Sequence, residues 1–186
     1  MDIIKKFIPG VCWLVATFIL GFLASKWSLF WDHLEYGQCY CHYIGNRMQE
    51  FLEVPLPALK EEIIYRFAPF LVATTLVMIT NHTKAKKIVI ALCIIAIIIV
   101  QLYFGYKHFF PEDGDTDYWF FIRIQGGLGV ILACAYGVMF WLSMKKYYPK
   151  SKHHILTFLL CHILAILTTT IIHSINNCFI IVNYTF

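Results

Sequence analysis

Five apolar stretches, at residues 7–31, 59–80, 88–106, 118–144 and 155–181, take up most of this 186-residue chain. Each is close to the ~20 residues an α-helix needs to cross a bilayer. Backbone in lipid must satisfy its own hydrogen bonds, which a helix does and an open strand does not. The expected fold is an all-α integral membrane protein with about five transmembrane helices. The connections are too short for a soluble domain, a nucleotide-binding loop or a nucleic-acid module. The composition agrees, with 14% of residues charged and 60% hydrophobic, where soluble domains carry roughly a quarter charged.

The position of the charges sets the expected topology. Lys5 and Lys6 precede the first stretch, Lys84, Lys86 and Lys87 join the second to the third, and Lys145, Lys146, Lys150 and Lys152 join the fourth to the fifth. These three segments fall on one side of the membrane, and short basic loops stay in the cytoplasm. The N-terminus is expected inside and the C-terminus outside, in a multi-pass protein of the cell membrane. The first stretch has a basic start and an apolar run, as a signal peptide does. Its length and the poor cleavage site at Ala24-Ser25-Lys26 favour an uncleaved anchor.

Cys12, Cys93, Cys134, Cys161 and Cys178 lie within apolar stretches, where cysteine acts as a small hydrophobe. Cys39-Tyr40-Cys41-His42, with His33 nearby, matches no common zinc spacing, so loop packing or a local disulfide is the expectation there. In the same connection Tyr40, Tyr43, Ile44, Met48, Phe51 and Leu52 recur at three to four residues. That spacing predicts a surface-lying amphipathic helix, stopped by Pro55 and Pro57. A new helix is then expected near Ala58, kinked farther on by Pro69. Trp27, Trp31, Tyr118 and Trp119 read as interfacial anchors, and Gly126, Gly127 and Gly129 as sites of close helix packing.

Ionisable side chains at membrane depth are rare and usually functional, and here they form three motifs. Glu61-Glu62-x-x-x-Arg66 opens the second stretch, Phe104-x-x-x-His108 ends the third, and His173-x-x-x-Asn177 lies in the fifth. Counting at ~1.5 Å per residue from the basic loops puts all three in the outer half of the membrane. Residues four apart share a helix face, so Glu62 pairs with Arg66, Phe104 stacks beside His108, and His173 points with Asn177. Glu61 lies about 100° round from Glu62, so one glutamate can be a reactive carboxylate while the other holds Arg66 or a neighbouring helix. Glu61 is preferred over Glu62 for the reactive role. His162 is a rival to His173, but it has Ile166 where the motif has Asn and lies roughly 16 Å deeper.

These three motifs, in this order on separate membrane helices, resemble those of the CAAX prenyl protease and bacteriocin-processing (CPBP) intramembrane endopeptidases. The resemblance covers roughly residues 59–178. It implies an anchor and interfacial loop at 1–58, and a protease core with four catalytic-core helices at 59–186. It departs from the family in the insertion at 145–154 and in the long final helix. The loop at 109–117, rich in acid, is a candidate lid or substrate contact.

The resemblance implies peptide hydrolysis. A carboxylate drawn partly out of water is a stronger base, so Glu61 would activate a water, with Glu62 and Arg66 setting its charge environment. His108 would hold or polarise that water, and His173 and Asn177 would donate to the oxyanion. A zinc arrangement uses His108, His173 and either Glu61 or Glu62 as ligands instead. The metal-free arrangement is favoured, because Asn177 suits an oxyanion and the histidines have no evident carboxylate behind them. The expected substrate is a peptide or membrane protein met at the outer face, with lipid as the surrounding partner and no nucleic acid. Two rivals remain: a non-catalytic immunity or regulatory protein that binds a peptide partner, and a small proton-coupled transporter.

Overall fold

The computed structural model describes residues 2–36, 54–108, 119 and 122–183, which are helical nearly throughout, with no strand among them. Helix α1 spans Asp2–Tyr36. Helix α2, Pro55–Glu62, runs through a π turn, Ile63–Phe67, into α3, Ala68–Ile79. Helix α4 spans Thr83–Tyr106. A second π turn, Ile122–Gly126, leads into α5, Gly127–Tyr147, and a 3₁₀ turn, Tyr148–Lys150, precedes α6, His154–Asn183. Among the described residues five segments are long and apolar enough to cross a membrane: Pro9–Trp27, Pro55–Ile79, Thr83–Tyr106, Ile122–Lys150 and His154–Cys178. The multi-pass all-α architecture follows. The expected surface helix, the Cys39–His42 group and the acidic loop at 109–117 lie outside the described residues.

The second membrane helix starts at Pro55, a few residues before the expected Ala58. Proline fits there because the first turn of a helix has no internal partner for its N–H groups. Pro69, farther along, has no N–H to offer the carbonyl of Tyr65 four residues back, and its ring crowds that carbonyl. The chain accommodates this with the wider π turn, in which the Ala68 N–H donates to the carbonyl of Ile63. The Tyr65 carbonyl is satisfied from the neighbouring helix, where Gln101 Nε2 donates to it at 2.9 Å.

The chain divides into two compact units. One, Leu59–Thr169, holds the second span from Leu59 onward, the third and fourth spans and the first half of α6. Its core is Tyr136, Ala165 and Ile166, packed by Leu59, Phe67, Phe70, Met139 and Phe140. On α4, Leu92, Ile95 and Ile99 face outward, as expected of side chains that lipid solvates. The other unit is Met1–Ala58 with Thr170–Phe186, whereas the sequence reading carries one core through residue 186. Small residues explain this grouping. Thr17, Ala24 and Ser25 are buried on α1, and a Cβ on Gly21 would come within 2.6 Å of Ile175 Cγ2. Only a glycine allows that approach of α1 to the end of α6.

Candidate active site

The two adjacent glutamates have opposite fates. Glu62 and Arg66 are both fully shielded from solvent, with Arg66 Nη1 3.1 Å from Glu62 Oε1. The guanidinium carbon lies 4.2 Å from the centre of the Phe104 ring, whose edge-on contact with Tyr65 is at 5.0 Å. The Arg66 nitrogens make no aligned hydrogen bond among the described residues. Charge and the ring face therefore hold this cation, and a cation–π contact strengthens out of water to about 2 kcal/mol.

Gln101 completes the buried cluster from α4. Its amide nitrogen also reaches the Ile97 carbonyl at 3.3 Å. Gly129 of α5 makes room for it, since a Cβ there would stand 3.1 Å from both Arg66 Nη2 and Gln101 Oε1. Motif spacing did not single out Gln101. The signal available was a lone amide inside a run of apolar residues, which in a membrane calls for a partner.

Glu61 and His108 come together at the end of the same unit. His108 Nε2 is 3.8 Å from Glu61 Oε1, and the two side chains remain 27% and 31% exposed. His108 sits just past α4, where its backbone N–H donates to the Gly105 carbonyl at 3.1 Å. Its Nδ1 lies 2.7 Å from the carbonyl oxygen of Phe104. A carbonyl only accepts, so Nδ1 carries the proton, and in the neutral ring the lone pair of Nε2 is directed at Glu61. Phe104 backs the imidazole in an edge-on contact at 4.5 Å. A gap of 3.8 Å is too long for a direct hydrogen bond, and suits one water that donates to both groups.

His162 belongs to a separate knot. Its Nδ1 is 2.8 Å from the Tyr136 hydroxyl and its Nε2 3.1 Å from Thr74 Oγ1. Thr74 Oγ1 is also 2.6 Å from the Phe70 carbonyl, to which its proton goes. Nε2–H then donates to Thr74, and Tyr136 O–H donates to Nδ1. Phe140 stacks on the ring at 4.2 Å and Phe158 meets it edge-on at 4.7 Å. Both nitrogens are satisfied and the ring is buried, as in a histidine that joins helices.

His173 and Asn177 lie in the other unit. His173 is buried. Asn176, which the four-residue spacing passes over, is fully buried and donates from Nδ2 to Asn177 Oδ1 at 3.0 Å. Of the six expected site residues, the structure brings together Glu61 with His108 and Glu62 with Arg66. Among the described residues no three His, Cys, Asp or Glu side chains gather as a metal site. Within this unit Glu61 and His108 offer two donors, where a catalytic zinc takes three protein ligands. No family model, curated protein or solved structure matches this chain.

Proposed function

We propose that the chain is an intramembrane endopeptidase of the CPBP type that hydrolyses peptide bonds of membrane-associated substrates with a glutamate-activated water. The observation that carries this reading is the facing pair Glu61 and His108, 3.8 Å apart, with the His108 tautomer set by the Phe104 carbonyl. A water donating to the Glu61 carboxylate and to His108 Nε2 keeps its lone pairs outward, toward a peptide carbonyl carbon. Glu61 takes the proton as the water oxygen bonds to that carbon, and returns it to the leaving amine. Glu62 and Arg66 are shut off from solvent, so their part is to position the turn that carries Glu61. The topology read from the lysines puts this end on the extracytoplasmic side. The resemblance assigns His173 and Asn177 to the oxyanion.

The test is cleavage of a library of membrane peptides by the purified protein in proteoliposomes. Glu61→Gln, His108→Ala and His173→Ala are expected to abolish cleavage while the protein stays folded. Cleavage that persists in Glu61→Gln removes the reading. A peptide that binds wild type and both Glu61 and His108 variants equally, and is never cut, supports the non-catalytic immunity or regulatory protein instead.

A further inference from the structure

We propose that the lysine-rich end of the unit Leu59–Thr169 is a binding surface for anionic phospholipid headgroups. The packing fixes which residues share this end. A Cβ on Gly126, at the start of the fourth span, would lie 3.5 Å from the Gln101 carbonyl and 3.6 Å from Leu102 Cα, near the end of α4. The start of the fourth span and the end of α4 are thus neighbours, and the two run antiparallel. The start of α4 and the end of α5 then occupy the opposite end, one helix length away. Lys84, Lys86 and Lys87 of α4 gather there with Lys145 and Lys146 of α5 and with Lys150 and Lys152 of the turn into α6.

Among the described residues of this unit, no carboxylate lies at the end that carries these seven lysines. Every Asp and Glu of the chain lies within residues 1–62 or 112–117. Within the unit, Glu61 and Glu62 are at the far end, and residues 112–117 belong to the connection that follows His108. A helix as long as α4, 24 residues, separates the ends by roughly 36 Å, several times the ~8–10 Å over which salt screens charge. Neither α4 nor α6 carries an acid in its first turn. The positive dipole ends at these starts are offset by the ends of α3 and α5 beside them, so the lysines themselves set the field. The described carboxylates of this unit thus leave the lysine field uncancelled, and it attracts anions.

Aromatic rings place this charge at the depth of lipid phosphates. Lys145 Nζ lies 5.2 Å from the centre of the Trp141 ring and Lys146 Nζ 5.0 Å from that of Tyr147. Trp141 and Tyr147 are 58% and 45% exposed. Exposed rings at a helix end sit at the membrane interface, with the ammonium groups above them at headgroup level. A row of lysines at that level recruits anionic lipid. Lipid is therefore the occupant, in preference to a soluble polyanion.

The full-length protein in neutral detergent micelles, where membrane orientation has no bearing, tests this. Phosphatidylglycerol is expected to raise the unfolding midpoint and to stay bound in native mass spectra, and phosphatidylcholine is expected to do neither. Lys→Gln at positions 84, 86, 87, 145, 146, 150 and 152 is expected to weaken phosphatidylglycerol binding at least about tenfold, and Lys→Arg at the same positions to preserve it. If the Gln variant does not fold, salt decides: the wild-type response is expected to fade between about 0.1 and 1 M, and persistence at 1 M overturns the proposal. So does an equal response to phosphatidylcholine, or undiminished phosphatidylglycerol binding by a folded Gln variant. Inorganic polyphosphate acting as strongly as phosphatidylglycerol would also overturn it, in favour of a soluble ligand.

Discussion

His108 and His162 belong to the same compact unit and differ in what their second nitrogen faces. His162 has a hydroxyl on each nitrogen and aromatic walls around it. It has neither solvent access nor an unspent lone pair, and can only hold helices together. His108 spends Nδ1 on its own helix and keeps Nε2 for a carboxylate, at the rim of the unit. The same side chain is thus mortar in one place and, in the proposed function, the partner of the base in the other. The difference lies in what surrounds the ring and not in its depth in the chain.

Substitutions can break this contrast. The largest effect is expected in cleavage: Glu61→Gln or His108→Ala removes the base or its partner and lowers the rate by about 10²–10⁴-fold, with the unfolding midpoint near that of wild type. A loss of stability equal to that of a core substitution would erase the distinction between the two histidines. Next comes Arg66→Ala, which removes one member of the buried Glu62–Arg66 ion pair and is expected to destabilise by about 3–5 kcal/mol, read by unfolding in detergent. His162→Leu keeps the volume but strands the Tyr136 hydroxyl, at about 1–3 kcal/mol. Any activity should survive it, and a dead but folded His162→Leu would place that ring in the chemistry. The smallest effect, about 1 kcal/mol, is expected for Gln101→Leu, measured in the same unfolding assay.

Much of the framework was legible in the sequence. The apolar runs mark the five spans, and i, i+4 spacing anticipates both the contact of Glu62 with Arg66 and that of Phe104 with His108. Pro69 signals a distortion, but a missing N–H does not say whether the helix bends, breaks or widens; the π turn depends on what the next helix supplies. Gln101 escaped because its meaning lies in a carbonyl on another helix, which no local pattern records. Asn176 escaped for the opposite reason: next to Asn177, a four-residue rule counts past it, although Asn176 is the more buried of the two. The His162 knot draws on Thr74 and Tyr136, which lie in two other spans and share no sequence pattern.

The bond from Gln101 to the Tyr65 carbonyl makes two distant positions thermodynamically dependent on each other. Pro69→Ala would restore a local donor for that oxygen and leave the glutamine redundant, while Gln101→Leu is harmful only as long as the proline is present. A double-mutant cycle on the pair should be non-additive. Related chains that lose one of these residues are then free to lose the other.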